Sequence, residues 1–123
     1  MGYLTVAIGG AMGAVARYGL SGWVMTWSAG AYPWGTLAVN VLGSLLIGAL
    51  LHLGLERMVL SVEMRLLWVT GFCGSLTTFS TFSFETLELL RDQQWFAAGG
   101  NVLLNVLACL AATYVGLVLG RLL

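Results

Sequence analysis

The sequence predicts an all-α integral membrane protein with four transmembrane helices and a break in the third. Three observations carry this. Hydrophobic residues make up 59% of the 123-residue chain and charged residues only 8%, against roughly 25% charged in an ordinary globular domain, and the mean hydropathy is +0.94. The apolar residues gather into four segments, approximately 3–27, 35–55, 65–91 and 96–122, and a bilayer takes about 20 apolar residues per spanning helix. The third segment is interrupted at its midpoint by GFCGSLTTFSTFSFE, Gly71 to Glu85, which brings Thr77, Thr78, Ser80, Thr81 and Ser83 to membrane depth. Irregular backbone survives there only when protein buries it or it lines a polar cavity. The whole chain, 1–123, therefore reads as one transmembrane domain.

Segment one carries Gly9, Gly10, Gly13 and Gly19 with alanines between them. The Gly9/Gly13 spacing lets helices approach closely, which matters in lipid because apolar contact alone does not favour protein over acyl chains. Arg17 is the only charge in this segment; a guanidinium at such depth either anchors structure by snorkelling or pairing, or takes part in an anion pathway. No positively charged region or small-residue cleavage site marks the first segment as a signal peptide, so it is expected to remain as a span. Trp23, Trp27, Tyr32 and Trp34 surround a turn containing the single proline, Pro33, as in an interfacial aromatic belt.

In segment two, Asn40, Ser44 and Gly48 recur every four residues and share a face. An asparagine there serves either as interhelical glue or as a pore-lining amide donor. His52 falls near the segment's end, where an interfacial residue without chemistry is expected. The connection holds Glu56, Arg57, Glu63 and Arg65, and segment three then runs to Arg91-Asp92. Glu85 and Glu88 are expected as ionised residues near the interface. Segment four draws a polar stripe through Asn101, Asn105, Cys109 and Thr113, with Gly116 and Gly120 repeating the close-packing signal. Small-residue faces on segments one and four, beside polar faces on segments two, three and four, point to a homo-oligomer with a conduction path between helices.

Several function classes are excluded. The chain has five cations, all arginine, balanced by five acidic residues, so no basic patch suggests nucleic acid. Cys73, Cys109 and the lone His52 lack metal-ligand or redox spacing. No Ser-His-Asp set, phosphate loop or carboxylate pair at depth points to an enzyme. With four spans, Arg57, Arg65 and Arg121 lie on one side and Arg91 on the other, a bias small enough to allow insertion in both orientations. What remains is a set of neutral donors, together with Phe79 and Phe82, which on one helix point about 60° apart around the axis. Aromatic edges are electropositive; two phenylalanines on one face are packing, or they turn those edges toward an anion.

GGAMGAVARY (Gly9 to Tyr18), GTLAVNVLGSLLIG (Gly35 to Gly48) and GFCGSLTTFSTFSFE together resemble the Fluc/CrcB family of fluoride channels, and the likeness extends over essentially the whole chain. The resemblance implies an antiparallel, dual-topology homodimer in a bacterial inner membrane that exports fluoride passively through two pores and holds a central structural sodium ion. Position by position, it makes the backbone carbonyls of Gly74 and Thr77 the Na+ ligands, and Phe79 and Phe82 the ring edges facing fluoride. It makes Asn40 a pore amide, sets Ser80 and Thr81 beside the path, and puts Asn101, Asn105 and Cys109 on the fourth-helix polar track. Arg17 takes a structural or electrostatic role. Where many relatives have two glycines this chain has Gly74-Ser75, so a helix break at Gly74 to Thr77 is expected to carry backbone strain at Ser75.

Two other readings differ in class. A four-span proton-coupled multidrug exporter is expected to hold an acidic residue deep in segment one, where this chain has Arg17. A non-transporting assembly subunit predicts no ion flux.

Overall fold

The computed structural model describes residues 1–123 and is helical throughout, without strands. Helix α1 spans Gly2–Thr26, and α2 spans Trp34–Leu51 and continues as a π-helical turn over His52–Glu56. The third segment is composite: α3 (Val62–Arg65), a π-helical stretch (Leu66–Cys73), α4 (Gly74–Leu76), two extended residues and then α5 (Phe79–Arg91). Helix α6 is the longest element, Trp95–Leu122. Trp34–Glu56 and Trp95–Leu122 are each long and apolar enough to cross a bilayer. The other two segments fall short of that mark for different reasons: α1 is diluted by glycine, serine and Arg17, and the third is divided between shorter helices.

Local chemistry explains the ends. Ser61 Oγ accepts the Met64 N–H at 3.2 Å and caps α3, satisfying a donor that the first helical turn leaves open. The two chain reversals that follow α2 and α5 each use a residue with positive φ, Met58 at 56° and Gln93 at 59°. Gln93 ends α5 in the usual left-handed way: its N–H reaches the Leu90 carbonyl at 3.1 Å and that of Gln94 reaches Leu89 at 2.9 Å.

The packing is inverted relative to a water-soluble bundle. Thr36, Asn40, His52, Thr78, Asn101 and Asn105 are buried, while leucines, valines and aromatics such as Leu103, Leu107, Leu110, Tyr3 and Phe96 face outward. In water such an apolar exterior would aggregate; in hydrocarbon it is the solvated surface, and close approach of small residues holds the inside together. A Cβ at Gly9 or Gly13 would collide with the carbonyls of Leu67 and Phe72, so α1 lies directly on the π-helical backbone. Likewise Gly48 meets the Thr113 carbonyl, Gly116 meets the Leu45 carbonyl, and Gly120 approaches Ala49, joining α2 to α6. The glycine faces expected to serve oligomerisation are thus consumed within one chain.

His52 also departs from expectation: it is buried and its Nδ1 lies 2.8 Å from Glu56 Oε2. The π-helical turn draws it inward, where α6 passes at Gly120.

Gly116→Ala is expected to destabilise the fold by about 1–3 kcal/mol because the methyl group must displace the α2 backbone. Gly19→Ala, whose added carbon meets nothing, should be neutral or stabilising by up to about 1 kcal/mol. Thermal or denaturant unfolding in detergent separates the two, and equal effects would contradict the packing argument.

Candidate functional site

An open cleft of about 480 Å³ runs between α2, the interruption of the third segment and α6. Helix α2 contributes Asn40, Gly43, Ser44 and Ile47; the third segment contributes Cys73, Gly74, Thr77, Thr78, Phe79 and Phe82; α6 contributes Asn105, Val106, Cys109, Leu110 and Thr113. Of the residues singled out from the sequence, Asn40, Gly74, Thr77, Phe79, Phe82 and Asn105 meet here, whereas Arg17, Ser80 and Thr81 are not among the lining residues. No charged side chain lines the cleft.

The helix interruption lies at Thr77 and Thr78, whose backbones are extended, with ψ of 155° and 119°. Gly74 is helical at φ −61° and ψ −30°, and Ser75 lies within α4. The strain anticipated at Ser75 is therefore absent, and a glycine pair is not needed because the chain leaves the helix later than Gly74. Two features drive the exit. Thr78 is β-branched and caps α5, its Oγ1 accepting the Thr81 N–H at 3.2 Å. From across the cleft, Asn40 Oδ1 accepts the Thr78 N–H at 2.8 Å and Asn40 Nδ2 donates to the Thr78 carbonyl at 3.2 Å.

This exchange has a consequence for two carbonyls. In a continuous helix the N–H groups of Thr78 and Thr81 would reach the carbonyls of Gly74 and Thr77. Both donors are diverted, to Asn40 Oδ1 and to Thr78 Oγ1 respectively. Gly74 and Thr77, both among the cleft-lining residues, therefore have backbone carbonyls without those helical partners, and carbonyl oxygens are the donor type that a hard cation takes.

The polar stripe of α6 extends the same network. Asn40 Nδ2 also donates to Asn105 Oδ1 at 3.0 Å, and Asn105 Nδ2 donates to the Asn101 carbonyl and to Asn101 Oδ1 at 2.9 and 3.0 Å. Asn101 Nδ2 reaches Thr86 Oγ1 at 2.9 Å, and Thr86 Oγ1 donates back to the Phe82 carbonyl at 2.8 Å. Both amide hydrogens of Asn40 and of Asn105 are used. These two side chains build the cleft wall, and in this arrangement they have no N–H left to offer a ligand.

The unspent donors are others. The ring centroids of Phe79 and Phe82 are 5.4 Å apart with planes inclined at 55°; Phe82 is 8% exposed and Phe79 78%. One ring is seated in the bundle and the other stands open at the cleft mouth. Ser44 lines the cleft without a hydrogen-bond partner of its own, and Thr81 Oγ1 accepts from Thr78 Oγ1 at 3.1 Å while keeping its own hydrogen free. Ser80 Oγ lies 3.3 Å from Thr78 Oγ1.

Thr78 is the central residue that the sequence reading did not single out. Its signal was present as a hydroxyl residue just before a helical FSTF run, the usual N-cap pattern, but its contact with Asn40 spans 38 positions. Glu85 also differs from expectation. Its Oε1 is shielded from solvent while the residue as a whole is half-buried, so this carboxylate is not at a fully wet helix end. Arg17 is partly exposed on α1 and has no carboxylate partner, the only ion pairs in the chain being His52–Glu56 and Arg91–Glu88.

Comparison with known proteins gives a coherent result. Residues 4–117 match the family model described as CrcB-like protein, Camphor Resistance (CrcB). A protein of Magnetococcus marinus named fluoride-specific ion channel FluC is 50% identical over 117 residues, covering 95% of each chain. Proteins of the same name from Geobacter sulfurreducens and Syntrophotalea carbinolica are each 48% identical, over 96% and 94% of this chain and 95% and 94% of their own length. With near-complete coverage at about half identity, and an apolar exterior wrapped around a buried polar network, this chain belongs to the CrcB family of membrane proteins.

Proposed function

We propose that the chain is a fluoride-selective channel that lets fluoride leave the cytoplasm passively, as a multi-pass protein of the bacterial inner membrane. The observation that carries this is the cleft itself: neutral walls, two phenylalanine rings and the unpaired hydroxyl of Ser44 meet beside the helix interruption, with no carboxylate or arginine among them. Fluoride is small and strongly hydrated, so a path must replace its water with several weak donors without trapping it. The electropositive edges of Phe79 and Phe82 and the hydroxyl of Ser44 are such donors within the cleft, with the hydroxyls of Ser80 and Thr81 just outside its lining. Asn40 and Asn105 hold the geometry by spending their amide hydrogens on protein.

The cleft is open on one side, where Phe79, Val106 and Leu110 are exposed. A second copy closing it gives the homodimer, and the small arginine asymmetry supports an antiparallel, dual-topology pair. The freed carbonyls of Gly74 and Thr77 from two copies supply four oxygens for a structural Na+ at the dimer centre. When bound, that cation contributes a fixed positive charge and a bridge between copies, while Asn40 and the Thr78 cap keep the carbonyls pointed away from helical partners. Arg17 lies outside the cleft and acts through structure or long-range electrostatics.

The named relatives support fluoride as the ion. A proton-coupled exporter is disfavoured because no titratable carboxylate lines the cleft. Fluoride efflux from proteoliposomes, with and without a proton gradient and with chloride as control, decides the matter. Gradient-independent, fluoride-selective flux is expected; coupling to protons or absence of flux would overturn the proposal.

Three outcomes follow from the residues. Phe79→Ile and Phe82→Ile should each slow efflux at least about tenfold, the factor that corresponds to roughly 1.4 kcal/mol of lost ion stabilisation, and unchanged rates would remove the rings from the path. Asn40→Ala leaves the Thr78 N–H buried without an acceptor, which costs about 1–3 kcal/mol; unfolding measurements should show that loss together with diminished flux. Replacing Na+ by a large organic cation should lower the unfolding temperature of the dimer, and an unchanged temperature would argue against a cation on Gly74 and Thr77.

A further inference from the structure

A second concavity, remote from the cleft, lies where α2 meets the start of the third segment. It encloses about 260 Å³ and is lined by Leu51, Val62, Arg65, Leu66, Val69 and Thr70. Five of these six come from the third segment, and the groove follows it from Val62 near the connection to Thr70, about 10 Å deeper along the helix axis. Its walls are mostly apolar, and the one charge is a guanidinium.

That guanidinium is without an anion. Arg65 Nε is sealed from solvent and has no hydrogen-bond acceptor, and neither ion pair of the chain includes Arg65. The two acidic residues nearest in sequence do not pair with it: Glu56 Oε2 lies 2.8 Å from His52 Nδ1, and Glu63 Oε2 lies 2.9 Å from Thr5 Oγ1. The arginine stem passes over Gly54, its Cδ 2.8 Å from where a Cβ would stand, so the groove wall holds it in place. A partly desolvated, unpaired cation is costly, and an external anion offsets that cost.

The surroundings have the same sign. Arg57, Arg65 and Arg121 lie at this end of the bundle against Glu56 and Glu63, while the opposite end has Arg91 against Glu88 and Asp92. An apolar groove that starts at the level of a polar connection, with a free arginine near its mouth, matches a molecule with an anionic head and a hydrocarbon tail.

We propose that this groove binds an anionic phospholipid, with its phosphate on the Arg65 guanidinium and an acyl chain along Leu51, Leu66 and Val69. The inference rests on the membrane placement in the proposed function but is independent of the ion path, because the groove shares no residue with the cleft. A bound lipid would brace the joint between the π-helical turn of α2 and the π-helical stretch of the third segment.

The test uses purified protein stripped of lipid and titrated with phosphatidylglycerol or phosphatidylcholine, with retention read by native mass spectrometry. Phosphatidylglycerol should bind at least about fivefold more tightly, the factor expected from roughly one arginine–headgroup contact. Arg65→Gln should erase that preference and Arg65→Lys should preserve part of it, whereas Arg91→Gln at the opposite end should leave it unchanged. Val69→Trp, which fills the groove without altering charge, should weaken both lipids. Equal retention of the two lipids by the unaltered protein, equal loss in Arg65→Gln and Arg91→Gln, or displacement by inorganic phosphate would each overturn the proposal. Fluoride efflux on the same preparations is read separately: a protein that retains phosphatidylglycerol but passes no fluoride refutes the channel and supports the lipid site.

Discussion

The structure depends on one requirement: a backbone N–H that leaves a helix at membrane depth must find another acceptor. At Thr78 that acceptor is Asn40 Oδ1, 2.8 Å away on another helix. Without it the third segment would gain by remaining helical, the Gly74 carbonyl would be occupied, and the cleft would lose its extended floor. The same asparagine donates to the Thr78 carbonyl and to Asn105, so one side chain ties α2, the interruption and α6 together. Because Asn40 and Asn105, at the middle of this buried chain, each find acceptors for their amide nitrogens and donors for their amide oxygens, the network specifies one arrangement and does not loosen the bundle.

Around this polar centre the packing is carried by absent side chains. Glycines bring α1 onto the π-helical backbone and α2 onto α6 until carbonyls fill the space a methyl group would take. Such contact maximises dispersion in a medium where burying leucine brings little advantage. The π-helical stretch Leu66–Cys73 belongs to the same economy of space, since its backbone, and not its side chains, faces Gly9 and Gly13. π-Helical turns of this kind concentrate at functional sites, and this one leads directly into the interruption.

The proposed ion path inherits its character from this construction. Its fixed amides are committed to protein, leaving ring edges and hydroxyls as the groups that meet the ion. Such donors are held in place before an ion arrives and are individually weak, which suits passage better than capture. Arginines are kept away from the cleft, and Arg65 at the bundle's positive end lines a separate, mostly apolar groove. Ion traffic and the contact proposed for lipid are therefore served by different parts of a short chain.

Composition and period were enough to recognise a helical membrane protein, to find the interrupted third segment and to mark Asn40, Phe79 and Phe82, because apolar length and polar residues at depth are local properties. The stripe Asn101–Asn105 was legible for the same reason, as a repeat of four. Other features were not local. The exit from the helix at Thr77–Thr78 instead of Gly74 follows from a hydrogen bond spanning 38 residues. The burial of His52 and the partial burial of Glu85 follow from neighbouring helices, and the use of the glycine faces inside one chain follows from which helices meet. The sequence by itself determined which residues are polar, small or aromatic at membrane depth; only the tertiary structure decided which donors are spent on protein and which stay free, because hydrogen-bond satisfaction is settled between helices and not along one.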